Sequence, residues 1–412
     1  MASLDRSPLA PAGFPQLPEI AGLKLGALAA GIRYRARADL MLAELAPGTT
    51  IAGVLTRSSM PGAPVQWCRE RIGRGRARAI IVNAGNANVF TGQRGLDDVA
   101  QTAGAVAKAV GCRADEVFVA STGVIGETLP VERILRAVPK LHGKLKPGAW
   151  EAAAKAICTT DTYHKGASAT AEIDGVPVRL AGFAKGSGMI APNMGTMLCF
   201  LFTDAKLPAP VLQALLARAN AQSFNCITVD GDTSTSDTVL LAATGQGPRH
   251  AAITKASDRR LKGFAAALDA VMRDLAHQVV RDGEGARKFI EIRVAGAASA
   301  RAARAIGMSI ANSPLVKTAI AGEDANWGRI VMAIGKSGEK ARRESLSIRI
   351  GGVLIAERGH LSPDYREAEV EPHMRGREIL IEVDVGVGRG RASVWTCDLT
   401  HGYIDINADY RS

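Results

Sequence analysis

Ala184–Asp204 has the sequence AKGSGMIAPNMGTMLCFLFTD, and this stretch decides the fold. Its first half contains three glycines, a proline and an asparagine, which are typical of irregular backbone. Its second half, Met197–Phe202, is a continuous apolar run with the length of a strand that is buried on both faces. The peptide bond between Gly195 and Thr196 therefore lies where an irregular loop enters a rigid core. Such a position suits a nucleophile.

The same bond also suits self-cleavage. The Thr196 hydroxyl can attack the Gly195 carbonyl, which has no neighbouring Cβ to hinder it, and the resulting ester can then hydrolyse. Cleavage would give Thr196 a free α-amino group with a reference pKa of about 8, able to act as the base for its own hydroxyl. Taken alone, however, these residues are more typical of a glycine-rich loop that leads into a core strand.

The composition excludes several classes of function. The chain has 412 residues, 47% of them hydrophobic and 22% charged, which predicts a globular protein of two to three domains. No apolar run approaches the ~20 residues of a membrane span, and the N-terminus lacks the layout of an export signal, so we expect a cytoplasmic protein without a membrane partner. The net charge is +11, but aromatic residues are only 4% and the basic residues are scattered, which argues against nucleic acid as a partner. The six cysteines never form a CxxC pair, which predicts reduced thiols and no metal site.

Two polar segments follow predicted strands in the first third of the chain. Asn83–Gly92 (NAGNANVFTG) has the composition of an ornate loop, and Ser121–Pro130 (STGVIGETLP) has that of a turn after the strand Val117–Ala120. A Thr-Gly pair in such a turn would offer a hydroxyl and a backbone N–H close together, as an oxyanion hole requires. Ordinary turns have the same composition, so both interpretations remain open at this point.

Further polar clusters lie along the rest of the chain. Cys158–Thr162 (CTTDT) can end a helix or bind a polar ligand, and Arg281–Gly285 (RDGEG) can point a carboxylate into a cleft or form an ordinary turn. Asp230–Thr238 (DGDTSTSDT) is more typical of a hydrogen-bonded turn than of a cation site. We also predict a strand at Gly31–Leu42 and one helix at Ile306–Ile320.

Known catalytic motifs are missing from the sequence. It contains no GxSxG, GxGxxG after a strand, GxxxxGK[ST] or HExxH, and none of its seven histidines lies in a triad context. A nucleophile that supplies its own base needs none of these motifs.

Eight separated segments together resemble one family, the ornithine acetyltransferases or glutamate N-acetyltransferases of arginine biosynthesis. The segments are NAGNANVFTG, STGVIGETLP, CTTDTYHKG, KGSGMIAPNMGTML, FNCITVDGDTSTSDT, DGEGARKFIEI, NWGRI and DLTHGYIDINADYRS. The resemblance implies cleavage into an α chain, 1–195, and a β chain, 196–412, which jointly form the catalytic core without an independent domain boundary. It also implies an α/β fold, a layered sandwich of sheets and helices built from both halves of the self-cleaved chain, with an N-terminal threonine as nucleophile.

The resemblance implies a reaction as well. Family members transfer an acetyl group from N2-acetyl-L-ornithine to L-glutamate through an acetyl-threonine, giving L-ornithine and N-acetyl-L-glutamate. Several also use acetyl-CoA, which is therefore open as a second acetyl donor; no cofactor or metal is expected, and the family implies a dimer of αβ units. The alternative is an amidase or aminopeptidase with the same kind of N-terminal nucleophile, which would use water as the acceptor.

Carried over by position, Thr196 resembles the family's nucleophile and Gly195–Thr196 its cleavage site, while Thr122 and Gly123 resemble its oxyanion hole. The residues that resemble its substrate-binding set are Thr159, Lys185, Thr196, Glu284, Asn407 and Ser412. Their chemistry fits an amino-acid substrate, because Lys185 can pair with an α-carboxylate, Asn407 and Ser412 can donate hydrogen bonds to it, and Glu284 can hold an amine.

The sequence departs from the family pattern at three places. Gly195 stands where alanine is more usual, Arg287 replaces a threonine, and Tyr163-His164 replaces Phe-Pro. We expect Gly195 to favour cleavage sterically, and we expect the other two changes, which lie near the predicted pocket, to affect substrate preference more than the type of reaction.

Overall fold

A computed structural model describes residues 5–34, 37–191 and 197–408. Gly195, Thr196 and Ser412 therefore lie outside the described residues. The chain forms two compact units. We call residues 12–225 with 233–276 the N-terminal unit, and residues 226–232 and 277–412 with 1–11 the C-terminal unit.

The N-terminal unit contains two sheets and most of the helices that pack on them. Its strands are β1 (Leu23–Leu28), β2 (Leu40–Leu45), β3 (Thr50–Leu55), β4 (Ala79–Asn86), β5 (Val117–Val124), β6 (Lys165–Ile173), β7 (Val176–Lys185), β8 (Leu198–Thr203) and β9 (Thr238–Ala243). Its helices are α1 (Ala63–Arg71), α2 (Gly92–Val110), α3 (Val131–His142), α4 (Trp150–Ala156), α5 (Ala209–Ala221) and α6 (Lys262–Arg281), whose last residues belong to the C-terminal unit.

One of the two sheets joins segments from both sides of the predicted cleavage site. One sheet has the order β1-β2-β4-β5, with β4 and β5 parallel. The other has the order β3-β9-β8-β7-β6, with β8 and β9 parallel. The central strand of this second sheet, β8, begins two residues after Thr196, whereas its neighbour β7 precedes the site.

A large apolar cluster packs between the two sheets. Ile80 and Phe118 contribute from the first sheet, and Phe183, Phe200 and Phe202 from the second. Full burial stabilises each such side chain by about 1.5–3 kcal/mol relative to exposure. A second cluster covers the other face of the first sheet with α2 and α3, while α5 packs on β3 and β9. The predicted α/β class with layered sheets and helices is confirmed.

The strand after the predicted cleavage site forms as its sequence indicates. All six residues of β8 are buried, as expected for a strand covered on both faces. The hairpin before it turns at Asp174 and Gly175, whose φ angles of 57° and 73° match the two-residue turn that suits twisted strands.

Ser121–Val124 is strand, so the predicted turn at the STG segment is wrong. Parallel pairing of β4 with β5 continues through Asn83–Ser121 to Gly85–Gly123, which also makes the first four residues of the predicted NAGNANVFTG loop part of β4. A Cβ at residue 123 would lie 2.2 Å from the carbonyl carbon of Gly85. Glycine at position 123 therefore allows the two strand ends to approach.

The predicted strand at Gly31–Leu42 is also wrong for most of its length, because regular pairing begins only at Leu40. The buried carboxylate of Asp39 accepts hydrogen bonds from the Ala30 and Ile32 backbone amides at 2.7 and 2.6 Å. This local ring of hydrogen bonds competes with strand pairing.

The C-terminal unit contains one sheet with the strand order β13-β12-β11-β14-β10-β15. Its strands are β10 (Phe289–Ala297), β11 (Ser347–Ile350), β12 (Val353–Glu357), β13 (His360–Leu361), β14 (Glu378–Asp384) and β15 (Gly390–Cys397). Its helices are α7 (Ala300–Ala311), α8 (Pro314–Ala321), α9 (Trp327–Gly335), α10 (Glu367–Arg375) and α11 (His401–Ala408), and α7 packs on β10 and β15.

The predicted single helix at Ile306–Ile320 is two helices, α7 and α8. The Ser313 side chain accepts the Val316 amide as an N-cap, and Pro314 occupies the first helical position, where its missing N–H costs nothing. Among the described residues, no helix is long and apolar enough to cross a membrane.

Candidate active site

Three of the predicted site residues meet at the side chain of Lys185, the last residue of β7. Its Nζ donates hydrogen bonds to the Thr122 hydroxyl at 3.2 Å and to the Thr159 hydroxyl at 2.9 Å. Thr122 lies on β5 in the other sheet, and Thr159 follows α4. Residues far apart in sequence therefore converge within the N-terminal unit, and the side chain of Lys185 is only 3% exposed.

The carboxylate of Asp161 lies beneath this lysine and is fully buried. Its Oδ1 accepts hydrogen bonds from Lys165 Nζ and from the Gly186 amide, both at 2.7 Å. Its Oδ2 accepts the Thr159 amide at 3.1 Å and lies 3.9 Å from Lys185 Nζ. One carboxylate thus anchors both strand ends of the β6–β7 hairpin and the segment that carries Thr159.

The charges of this cluster favour an anion. Burial alone would raise the pKa of Asp161, but the Lys165 and Lys185 ammonium groups outweigh this effect and hold the pKa well below its usual range. Two ammonium groups therefore face one carboxylate in a site closed to solvent. Because Coulomb interactions are stronger away from water, the excess positive charge favours a negatively charged ligand or transition state.

The asparagine-rich segment supports the strand that carries Thr122. Ser121 donates a hydrogen bond through its hydroxyl to Asn83 Oδ1 at 2.5 Å, and Asn83 Nδ2 donates to the Asn86 carbonyl at 2.8 Å. Asn86 Oδ1 in turn accepts the Asn88 amide at 2.8 Å. These buried side-chain bonds fix the ends of β4 and β5.

A second buried carboxyl, Asp237, lies just before β9. Its Oδ1 accepts the amide of Met197 at 3.0 Å, and the Thr238 amide donates to the Met197 carbonyl at 3.2 Å. Within the described part of the chain, no donor forms a well-shaped hydrogen bond to its Oδ2, although the Ser234 and Thr56 hydroxyls are its polar neighbours. Burial raises the pKa of Asp237 well above its usual range, against the opposing effect of the Met197 amide.

In the C-terminal unit, the predicted residues Glu284 and Asn407 lie together. Asn407 Nδ2 donates to Glu284 Oε2 at 2.8 Å and to the Tyr403 carbonyl at 3.0 Å. A Cβ at Gly285 would lie 2.4 Å from the Tyr403 amide nitrogen, so glycine is required where α11 packs on this turn. The Thr400 hydroxyl adds a hydrogen bond to the Gly285 carbonyl at 2.7 Å.

The departures from the family pattern have defined surroundings. Tyr163 lies beside the Asp161 cluster: Lys165 Nζ donates to its carbonyl at 3.3 Å and lies 4.8 Å from its ring centroid. The backbone amide of Arg287 donates to the Asp398 carboxylate at 2.8 Å. Gly195, like Thr196, lies outside the described residues.

Neither metal nor thiol chemistry has support in the described part of the chain. No group of three or more His, Cys, Asp or Glu side chains there could hold a metal ion. None of the six cysteines, all of which the structure describes, forms a disulfide, and burial raises the pKa of Cys68 to about 12 and that of Cys397 to about 11. Such thiols are poor nucleophiles at neutral pH.

Sequence reasoning missed three residues that organise the site: Asp161, Lys165 and Asp237. Asp161 and Asp237 occur in polar clusters, but nothing in either cluster distinguishes a buried anchor from a surface cap. The strand KGASATAEI consists mainly of small residues, and the lysine at its start, Lys165, is unusual in such a strand.

Three comparisons relate this geometry to known proteins. The model of the ArgJ family matches residues 24–412. The arginine biosynthesis bifunctional protein ArgJ of Ruegeria pomeroyi is 57% identical over 418 aligned positions, covering all of both chains. A crystal structure of the Bacillus halodurans protein argJ is 39% identical with a TM-score of 0.48, covering 50% of this chain and 95% of that one. A Mycobacterium tuberculosis ornithine acetyltransferase complexed with ornithine is 34% identical with a TM-score of 0.38, covering 45% and 95%.

Proposed function

The chain belongs to the ArgJ family, and we propose that it transfers an acetyl group from N2-acetyl-L-ornithine to L-glutamate in arginine biosynthesis. The family match confirms the resemblance drawn from the eight sequence segments. The chain is thus an acyltransferase of a family whose curated relatives are named bifunctional.

One observation carries the proposal most directly: Lys185 joins the Thr122 and Thr159 hydroxyls in a buried, positively charged cluster. Acetyl transfer passes through a tetrahedral intermediate whose carbonyl oxygen becomes an anion. Fixed donors in a site closed to water stabilise such an anion, and one donor of this kind is worth about 10²–10³ in kcat. We assign this role to the Thr122 hydroxyl and the Gly123 amide.

The proposed reaction has two halves. Thr196 Oγ attacks the acetyl carbon of acetylornithine, the C–N bond breaks, and ornithine leaves with a proton on its amine. The acetyl group then rests on Thr196 as an ester, which the amine of glutamate attacks to form N-acetylglutamate and restore the hydroxyl. The α-amino group of Thr196 takes and returns the proton in each half.

This mechanism requires prior self-cleavage between Gly195 and Thr196, which frees that amino group. The arrangement of β7 and β8 supports cleavage without separation: they pair in register from Leu180–Thr203 to Lys185–Leu198, so the α and β chains would stay joined in one sheet. We include a dimer of αβ units and a cytoplasmic location in the proposal.

Substrate binding follows from the remaining groups. Lys185 Nζ has three N–H groups. Two of them donate hydrogen bonds to threonines, and the third can donate to a substrate carboxylate. Glu284, held by Asn407, is suited to an ammonium group, and Ser412 adds a hydroxyl to the proposed set. No cofactor takes part, and acetyl-CoA is the candidate second donor of acetyl groups.

Initial-rate kinetics test the proposal against the amidase alternative. Rates against acetylornithine at several glutamate concentrations should give parallel double-reciprocal lines, because deacetylated product leaves before glutamate attacks. Without glutamate, ornithine should appear only slowly after a first-turnover burst. Intersecting lines would indicate direct transfer in a ternary complex, and full-rate ornithine release in plain buffer would make the protein an amidase.

A further inference from the structure

The hydrogen bonds of Lys185 have only one permitted direction. An ammonium group is a donor without acceptor capacity, so the hydroxyl oxygens of Thr122 and Thr159 must accept. Each hydroxyl therefore keeps its own proton for another partner. A threonine hydroxyl that rotates freely could accept or donate, but one that already accepts from Lys185 is oriented as a donor.

The position of Lys185 is in turn fixed by Asp161. Asp161 accepts the amide of Gly186, the residue directly after Lys185, and the amide of Thr159, one of the two hydroxyl partners. It thus holds the backbone on both sides of the Lys185–Thr159 hydrogen bond. Its carboxylate also lies 3.9 Å from Lys185 Nζ, close enough to attract the ammonium group but too far for a hydrogen bond.

Lys165 stabilises the buried carboxylate of Asp161. Its ammonium group donates to Asp161 at 2.7 Å and is fully buried with it. Replacing Asp161 alone would remove a carboxylate partner of the buried Lys165 ammonium group, and replacing Lys165 alone would remove the ammonium group that donates to Asp161; both changes are unfavourable in the interior. Lys165 thus favours the ionised form of the carboxylate that lies beside Lys185.

We propose that Asp161, paired with Lys165, is a positioning residue for acetyl transfer: it fixes Lys185 so that the Thr122 hydroxyl donates its proton to the oxyanion. This inference rests on the proposed function, because it assumes that Thr122 lines the oxyanion hole. It assigns a role to two residues that do not themselves touch the reacting atoms.

The test compares three variants, with kcat expressed per molecule of self-cleaved protein as measured by intact mass. Asp161→Asn removes the anchor charge, Lys165→Met removes its partner, and the double variant removes both and restores the charge balance. If Asp161 positions Lys185, the double variant should recover thermal stability lost in Asp161→Asn while kcat stays about 100-fold or more below wild type, within the range of losing one oxyanion donor. Recovery of wild-type kcat in the double variant would overturn the proposal.

A double-mutant cycle separates positioning from general damage. In a Thr122→Ala background, the Asp161→Asn/Lys165→Met pair should lower kcat by less than about threefold, because both changes remove the same donor. Effects that multiply would overturn the proposal. If the double variant does not fold, Asp161→Glu serves instead, since it keeps the charge but displaces the anchor by one methylene; wild-type kcat in that variant would also overturn the proposal.

Asp204→Asn is the matched control. Asp204 is a buried aspartate at the opposite end of β7, where it accepts the Arg179 amide at 2.8 Å without a lysine partner. We expect its replacement to leave kcat within about twofold of wild type, and a loss as large as that of Asp161→Asn would overturn the proposal by showing that any buried aspartate of this sheet has the same effect. Wild type without acetyl transfer would instead refute the proposed function, whereas Thr122→Ala with wild-type kcat would overturn the oxyanion role of Thr122 and with it this inference.

Discussion

Two buried aspartates flank the segment that contains the predicted cleavage site, and their pKa values are shifted in opposite directions. Asp161 accepts the amide of Gly186 before the segment, and Asp237 accepts the amide of Met197 after it. Lysines beside Asp161 outweigh its burial and lower its pKa, whereas burial raises the pKa of Asp237. The same residue type, with the same burial and the same kind of anchor, has a lowered pKa at one end and a raised pKa at the other.

This difference shows how two buried carboxyl groups can accept backbone amides without giving the site a net negative charge. The charged anchor, Asp161, lies where two ammonium groups more than compensate it, so the net field still favours an oxyanion. Among the described residues, Asp237 forms no ion pair, and its raised pKa favours the protonated form. A protonated carboxyl still accepts the Met197 amide and adds no negative charge that would oppose the proposed oxyanion.

The largest effect should come from removing the nucleophile between the two anchors. Thr196→Ala lacks the hydroxyl for both self-cleavage and acetyl transfer, so we expect complete loss of both. Intact mass should show one chain of 412 residues in the variant and pieces of 195 and 217 residues in wild type. A stable, fully active and uncut wild type would contradict this prediction, because Thr196 would then lack its amine.

Replacing the two anchors should change the free energy of unfolding in clearly different ways. Asp161→Asn removes the carboxylate that faces the buried Lys165 and Lys185 ammonium groups and should lower the free energy of unfolding by about 3–5 kcal/mol. Asp237→Asn replaces a carboxyl with a raised pKa by an amide of similar shape that does not titrate, so at pH 7 it should raise the free energy of unfolding rather than lower it. Urea unfolding at pH 7 measures both, and equal losses in the two variants would contradict the opposite pKa shifts.

Thr122→Ala tests whether the charged cluster around Lys185 contributes to acetyl transfer. Loss of the hydroxyl that Lys185 orients should reduce kcat by about 10²–10³, or 3–4 kcal/mol of transition-state stabilisation. Thr122→Ser keeps the hydroxyl and is the control, expected to retain most of the activity. Unchanged kcat in Thr122→Ala would make the STG strand a structural feature.

Much of the fold followed from local patterns, because the hydrophobic period and the turn residues act over short distances. The β6–β7 hairpin and the apolar strand after Thr196 are examples. The local sequence favours a turn for the STG segment. Its Gly123 pairs with Gly85, which lies far away in the sequence, and no local signal reveals this contact.

The same distinction separates the site residues. Thr122, Thr159 and Lys185 were found through motifs, and the structure brings them together. The lowered pKa of Asp161 depends on burial and on Lys165 and Lys185, and the raised pKa of Asp237 depends on burial, which composition does not encode. Their opposite pKa shifts could therefore not be predicted from the sequence.

The smallest expected effect is the pH dependence of stability, and it has opposite signs at the two anchors. An unfolded aspartate titrates near pH 4, and each shifted group changes the stability by at most about 1.4 kcal/mol per pH unit. Because the folded pKa of Asp161 is lowered, its contribution is present above about pH 4 and is lost as the pH falls further. Because the folded pKa of Asp237 is raised, its contribution is complete below about pH 4 and is lost as the pH rises towards the folded pKa.

Urea midpoints between pH 3 and 8 should therefore show Asp237→Asn gaining stability relative to wild type as the pH rises, and Asp161→Asn approaching the stability of wild type as the pH falls below 4. Curves that run parallel to wild type in both variants would mean that neither carboxyl is shifted, and the contrast between the two anchors would disappear.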